Sequence, residues 1–206
     1  MVHKKIISLL LLSTVLLFPR STVELNIDTE DFELRGATDI SAYSDYLNGT
    51  MFVFDANYLN TENDNLFGMG LSAHNSFLGM EGLSLGLGAR FVYLEEFMAL
   101  PLEAQASYAV TFSDNIPAAS FSASLLYAPS VLSFDDAESY FEFRAEAAME
   151  VINSVSLYVG YRDIETDYLA GTSGGRCSYT CEHIGDDAVR EETFNSSFYG
   201  GIKVSF

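Results

Sequence analysis

Apolar and polar residues alternate with a period of two along much of the chain. The clearest case is residues 194–206, where one face carries Phe194, Phe198, Ile202, Val204 and Phe206. The positions between them are polar or small, as at Asn195, Ser197 and Lys203. Alternation over a dozen residues predicts a β-strand with one apolar face and one polar face.

The same alternation recurs upstream and predicts an all-β chain of about ten strands, with eight as the alternative. The predicted strands lie near residues 23–28, 32–40, 50–59, 66–75, 83–94, 100–112, 118–128, 140–152, 155–163 and 193–206. Many of these strands are long, and their polar faces carry glycine, serine and isolated charges. That pattern favours a transmembrane barrel over a soluble sandwich, because only a closed barrel satisfies every backbone group of a strand in lipid. We therefore predict a single antiparallel up-and-down β-barrel.

The N-terminus carries the pattern of an export signal. Lys4 and Lys5 precede a mostly apolar run, residues 6–18, that is too short to span a bilayer as a helix. We assign residues 1–22 to a signal peptide, with its cleavage site open between residues 20 and 23, and residues 23–206 to the barrel. An uncleaved anchor or a buried core helix is the alternative. Export of a barrel predicts the bacterial outer membrane as its location.

Composition narrows the possible partners. The formal net charge is −19, with 29 acidic against 10 basic side chains, so the chain would repel nucleic acid. Yet 49% of its residues are hydrophobic, which is too many for a disordered acidic tail. Apolar and charged side chains must therefore be separated in space, as the two faces of a barrel wall would separate them.

Strand parity directs a set of ionisable side chains toward the lumen. The predicted lumen charge network comprises Arg35, Asp55, Arg90, Glu103, Glu142, Arg144, Glu146, Glu150, Arg162 and Lys203. Ten strands enclose a space close to the size that side chains can fill. These charges would form either a self-neutralising plug or the lining of a narrow pore. We therefore expect a structural or interaction protein with a largely plugged lumen and acidic extracellular loops, and keep a porin-like channel for small solutes as the alternative.

Four stretches resemble a known family. Residues 83–93, with glycines at 86 and 88, and residues 125–129, 159–164 and 200–206 are similar to strands of the YfaZ family of outer-membrane proteins. The resemblance extends over about residues 23–206. It implies a bacterial outer-membrane barrel and supplies no catalytic residues.

Other candidate chemistry is sparse. Cys177 and Cys181 are close enough in sequence to form a local disulfide in an oxidising compartment, and with His183 they make an incomplete zinc set. His74 and Ser76 have the spacing of a His/Ser nucleophile pair, which leaves an outer-membrane hydrolase as a remote alternative. We expect no enzyme activity, no metal and no cofactor.

The expected partners are those of any such barrel. They are outer-membrane lipid and lipopolysaccharide, and, during insertion, the barrel-assembly machinery, with no nucleic acid and a monomeric state. The terminal residues Ile202, Val204 and Phe206 form the predicted insertion signal for that machinery.

Overall fold

The chain folds into an antiparallel barrel built from long strands. The computed structural model describes residues 20–41, 50–61, 64–77, 79–94, 97–111, 117–135, 137–170 and 188–206. The strands are β1 (Ser21–Ile27), β2 (Phe32–Asp39), β3 (Met51–Asn60), β4 (Asn65–Ser76), β5 (Leu83–Leu94), β6 (Phe97–Ala99), β7 (Leu102–Val110), β8 (Ala119–Ala128), β9 (Ser133–Asp135), β10 (Ala137–Ile152), β11 (Val155–Ala170) and β12 (Ala188–Ser205).

The barrel closes between its first and last strands. β1 pairs with β12, so that Val23 lies opposite Val204 and Leu25 opposite Ile202. The ring runs in the order β1, β2, β3, β4, β5, β7, β8, β10, β11 and β12, with β4 paired to β5. The N–H of Phe206 donates to the carbonyl of Ser21 at 2.9 Å. The prediction of ten antiparallel strands is therefore confirmed, and the alternative of eight is wrong.

The two short strands continue longer ones. On β5, Val92 pairs with Ala99 of β6 and Ala89 with Leu102 of β7, which is one register interrupted only at residues 100–101. Pro101 has no N–H to give to a ladder, so the strand breaks there. Similarly, β9 is separated from β8 by one 3-10 turn, Ser130–Leu132. The expected loop at residues 129–139 is therefore mostly turn and strand.

The hairpin formed by β11 and β12 is longer than the sequence indicated. β11 continues to Ala170 rather than residue 163, and β12 starts at Ala188 rather than residue 193. The pairing register shifts between Ile164 and Glu165. Directly beyond this shift Glu165, Thr166 and Asp167 follow one another on β11, so the alternation that marks a lipid-facing strand is interrupted although the backbone pairing persists.

The two faces of the wall differ as the alternation predicted. Leu87, Val159 and Phe198 point outward and are 71%, 65% and 81% exposed. Inward-facing Glu33 and Arg162 are each 1% exposed. This distribution is the reverse of a soluble domain and matches a wall with lipid outside and polar groups inside.

The connections fall at two ends of the barrel. β2 and β3, β4 and β5, β7 and β8, and β10 and β11 are connected at the end that holds residues 20 and 206, which we name the terminal end. We name the opposite end of the barrel the far end. The predicted signal peptide and the predicted Cys177–Cys181 disulfide lie outside the described residues. Among the residues the structure describes, no helix is long and apolar enough to cross a membrane.

Two tyrosines of neighbouring strands pack against two glycines in a reciprocal arrangement. Tyr199 of β12 lies opposite Gly160, and Tyr158 of β11 lies opposite Gly201. The two tyrosine rings meet edge to face, with their centroids 6.3 Å apart. A Cβ atom added to Gly201 would lie 2.5 Å from Cζ of Tyr158 and 2.6 Å from the carbonyl oxygen of Leu25. Glycine at this position therefore makes room for an inward tyrosine.

We predict that Gly201→Ala lowers the free energy of unfolding by about 1–3 kcal/mol, because the added methyl group must displace the Tyr158 ring or the β1 backbone. Gly200→Ala is the matched control. A Cβ there would meet only the carbonyl oxygen of Tyr158, at 3.9 Å. Denaturant unfolding of the barrel in detergent measures both variants, and equal stabilities would contradict the steric explanation.

Candidate functional site

The lumen is the candidate site, and its lining changes in character along the barrel. On β5 the inward residues, from the terminal end to the far end, are Ser84, Gly86, Gly88, Arg90, Val92 and Leu94. On β8 they are Ser120, Ser122, Ser124, Leu126 and Ala128. Each strand thus presents small or polar residues first and apolar residues last. Charged residues from several strands lie between these two levels.

Glu33 is the centre of the charged level. Its side chain is fully buried, and its two carboxylate oxygens accept five hydrogen bonds. Arg144 donates twice, at 2.8 and 3.0 Å, and Arg162 once, at 2.9 Å. Asn26 and Asn57 donate the other two, at 2.8 and 2.9 Å. A carboxylate so fully paired can stay ionised away from water.

Ion pairs cross the lumen instead of joining only neighbouring strands. Glu33 and Arg35 belong to β2, whereas Arg144 and Glu146 belong to β10, and β1, β12 and β11 lie between these strands in the ring. Arg35 donates to Glu146 at 2.9 Å. The Glu33–Arg144 and Arg35–Glu146 pairs therefore brace two separate parts of the wall.

On the terminal side of these pairs, Glu24 of β1 joins two more cations. Its carboxylate oxygens lie 3.1 Å from Arg35 and 2.7 Å from Lys203. The Lys203 side chain is 38% exposed, so solvent reaches this part of the lumen. The Glu24 ion pairs therefore sit between the buried centre and the terminal opening.

A second group of charges surrounds Arg90 on the opposite part of the wall. Arg90 lies 2.7 Å from Asp55 and 3.9 Å from Glu103. It also donates to the Asn57 amide oxygen at 3.4 Å. A Cβ on Gly70 would lie 2.6 Å from Asp55 Oδ1, so the glycine leaves room for this carboxylate. Asn57 contacts both Arg90 and Glu33, and thereby links the two groups.

Tyrosines complete the charged level. The guanidinium groups of Arg144 and Arg162 lie 5.8 and 5.5 Å from the ring centroid of Tyr199, within cation–π range. The Tyr199 hydroxyl donates to Glu146 at 2.7 Å. The aromatic ring therefore contacts two guanidinium groups while its hydroxyl satisfies a carboxylate.

The structure brings together most of the residues that parity directed inward. We name the resulting network the charge belt, and its predicted members are Arg35, Asp55, Arg90, Glu103, Glu142, Arg144, Glu146, Arg162 and Lys203. Glu150 is the exception. It is exposed at the terminal end, where it accepts a hydrogen bond from the N–H of Ser154 at 3.2 Å. Sequence reasoning missed further members of the belt, namely Glu24, Asn26, Glu33, Asn195 and Tyr199.

An acidic residue of the far end lies next to the belt. Asp28 is in the turn between β1 and β2. Burial would raise the pKa of its carboxyl, but hydrogen bonds from the N–H groups of Glu30 and Asp31 hold that pKa below its ordinary value. Asp28 is therefore ionised at neutral pH, 3.8 Å from Arg162.

Toward the far end an apolar cluster occupies the lumen beside the charge belt. We name it the apolar tier, and it consists of Leu59, Leu66, Val92, Leu94, Phe97, Ala99, Leu126, Ala128, Ala137, Tyr140 and Ile164. Tyr140 turns its hydroxyl toward the belt and donates to Glu142 at 2.7 Å. Each member is at most 5% exposed. No member of this tier was predicted from the sequence to lie in the lumen.

The predicted His74 and Ser76 pair is not formed. The ring nitrogen Nε2 of His74 lies 2.8 Å from the hydroxyl of Ser72, two residues earlier on β4, and Ser76 is exposed at the strand end. The ring covers Gly86 of β5, where a Cβ would lie 2.5 Å from Nδ1. Within the described residues, no group of three or more His, Cys, Asp or Glu side chains is arranged to hold a metal ion.

The apolar exterior, the closed ten-stranded ring and the charged interior define a transmembrane β-barrel of the outer-membrane type. A family model described as YfaZ precursor matches residues 48–180, and the chain belongs to the YfaZ family. Comparison with curated proteins finds no match. Among solved structures, a KdgM porin is similar at 9% identity and a TM-score of 0.40, covering 90% of this chain and 98% of that chain. The family assignment rests on the family model, and the fold on the strand pairing described above.

We predict that Glu33→Gln lowers the free energy of unfolding by about 3–5 kcal/mol, because Arg144 and Arg162 then lose a buried counter-charge. Glu30→Gln, which removes the same charge from an exposed turn nearby, is the control and should stay within about 0.5 kcal/mol of the parent. Denaturant titration in detergent measures both. If the two variants unfold at the same midpoint, the belt does not stabilise the barrel through Glu33.

Proposed function

We propose that this protein is a structural or interaction barrel of the bacterial outer membrane whose lumen does not conduct. The observation that carries the proposal is the Glu33–Arg144 ion pair, which crosses the lumen with both side chains at most 4% exposed. A water-filled pore at this level would expose at least one partner. The apolar tier supports the same conclusion, because a dry apolar layer opposes the passage of ions.

The exterior supports a location in the outer membrane. Exposed apolar residues cover the outward face of β5, β11 and β12, where lipid chains would replace water. We also propose that Ile202, Val204 and Phe206 form the signal read by the assembly machinery. Ile202 and Val204 lie on the strand that closes the barrel, and Phe206, directly after that strand, is 57% exposed. Lipopolysaccharide is the partner that we propose for the far end.

No catalytic role is proposed for the lumen. The Ser72–His74 contact lies on one strand, and both side chains are almost fully buried. A nucleophile and base also require a third group that orients the base, and donors for an oxyanion. Among the described hydrogen bonds, His74 has only the one to Ser72.

We predict that the refolded barrel gives no persistent conductance in planar bilayers. The triple variant Glu33→Ala, Tyr140→Ala, Arg144→Ala should give discrete openings, because it removes the crossing ion pair and the aromatic ring above it. Glu30→Ala, Glu150→Ala is the control and should stay silent, since both residues lie outside the belt. Heat-modifiable gel migration verifies that each variant is folded.

A persistent open state of the parent barrel would contradict the proposal. The narrow channel would then be favoured if Lys203→Ala or Arg35→Ala changed the ion selectivity of that state. Both side chains are partly exposed to the lumen, so a conducting path would pass them.

A further inference from the structure

The part of the lumen near the terminal end differs from the rest because its lining is accessible. Inward residues there are partly exposed and mostly small, namely Ser84, Gly88, Gln105, Ser107, Ser122, Ser124, Ala148 and Ser156. We name this region the cup. Its walls come from β5, β7, β8, β10 and β11, and its floor is the charge belt. In the part of the chain that the structure describes, the cup therefore opens toward the terminal end and stops at the belt.

The floor of the cup contains a carboxylate with one unpaired oxygen. Glu103 has its Oε1 at 3.9 Å from Arg90, whereas its Oε2 is buried and accepts no hydrogen bond. Arg90 is committed to Asp55, at 2.7 Å. One guanidinium thus faces two carboxylates, and the second of them retains an unsatisfied acceptor. Leaving such a buried acceptor unpaired is costly, so the position favours a ligand that donates hydrogen bonds and carries positive charge.

Residues of the same strand lead from the opening to this carboxylate. Ser107, Gln105 and Glu103 follow one another on the inward face of β7, from the terminal end toward the belt. Gln105 and Ser107 are partly exposed, and Glu103 is buried. Across from them, Gly88 of β5 pairs with Glu103, and Ser72 of β4 covers this glycine, where an added Cβ would lie 2.7 Å from the Ser72 Cβ.

We propose that the cup binds a small organic amine, with its ammonium group at Glu103 and its polar chain along Gln105 and Ser107. An ammonium group has three hydrogen-bond donors and no acceptor, which suits the free oxygen of Glu103 and the amide oxygen of Gln105. A metal ion fits less well, because the described residues gather no set of three His, Cys, Asp or Glu ligands.

The inference rests on the proposed function in one respect, since the charge belt that would close the lumen is also the floor of the cup. The test is isothermal titration calorimetry of the refolded full barrel in detergent, at physiological salt. The probe is 1,4-diaminobutane, and 1,4-butanediol is the neutral compound of matched length. We expect saturable binding of the diamine and none of the diol.

Variants then locate the site. Glu103→Gln keeps the shape of the side chain but removes its charge, and should weaken diamine binding about tenfold or more. Glu150→Gln removes the same charge from the terminal end of the barrel and should leave the affinity for the diamine unchanged. Ser122→Phe fills the cup from β8 without touching Glu103, and should also abolish binding. Heat-modifiable migration establishes that each variant is folded.

Equal binding of the diol, equal weakening by Glu103→Gln and Glu150→Gln, full affinity in Ser122→Phe, or no binding of the diamine would each overturn the inference. Conductance of the same preparation distinguishes failure of the amine site from failure of the proposed function. A silent barrel that ignores the diamine contradicts only the amine site. A barrel that conducts and still binds it contradicts only the closure.

Discussion

Neutralisation of charge inside a closed ring is the constraint on which the rest of this structure depends. The ring leaves no unpaired edge, but it encloses a space narrow enough that an ionised side chain must find its counter-charge on another strand. Glu33 meets this requirement with two guanidinium groups from β10 and β11. The glycines opposite Tyr158 and Tyr199 belong to the same solution, because they free the volume that large inward side chains occupy. The small residues of the wall and the large side chains of the interior are therefore complementary in volume, so a change in one affects the packing of the other.

The alternation of apolar and polar residues predicts the wall of the barrel well, but it predicts the interior only in part. A period of two, sustained over a dozen residues, fixes which side chains share a face, and this was enough to predict ten strands and to direct Arg144 and Arg162 inward. Glu33 has the same parity as Arg35 and could have been found by extending that rule two residues. The partners of Glu33 could not have been predicted in this way. Contacts across the lumen depend on the stagger of strands around the ring, which local alternation does not encode. The same argument explains Glu150, whose parity is inward but whose position is past the belt.

The apolar tier escaped notice for a different reason. Where both faces of a strand are apolar, as at Leu125 and Leu126, the contrast that distinguishes an inward residue from an outward one is lost. The part of β11 that follows the shift at Ile164 and Glu165 presents the opposite case, since Glu165, Thr166 and Asp167 are consecutive polar residues there. In each case pairing continues while the pattern fades, because alternation reports the contrast between lipid and lumen and not the backbone ladder itself. The strand ends and the apolar tier could therefore be assigned only from the structure.

The crossing ion pairs also bear on how the molecule can assemble. Glu33 is 111 residues from Arg144 and 129 residues from Arg162 along the chain. Contacts of such long sequence separation form late, after the chain between them has been ordered. A half-built wall would present Glu33 and two arginines to its surroundings without counter-charges, and such a wall could not rest in lipid at low energy. Insertion and closure are thus coupled into one cooperative event, and partly inserted intermediates should be short-lived.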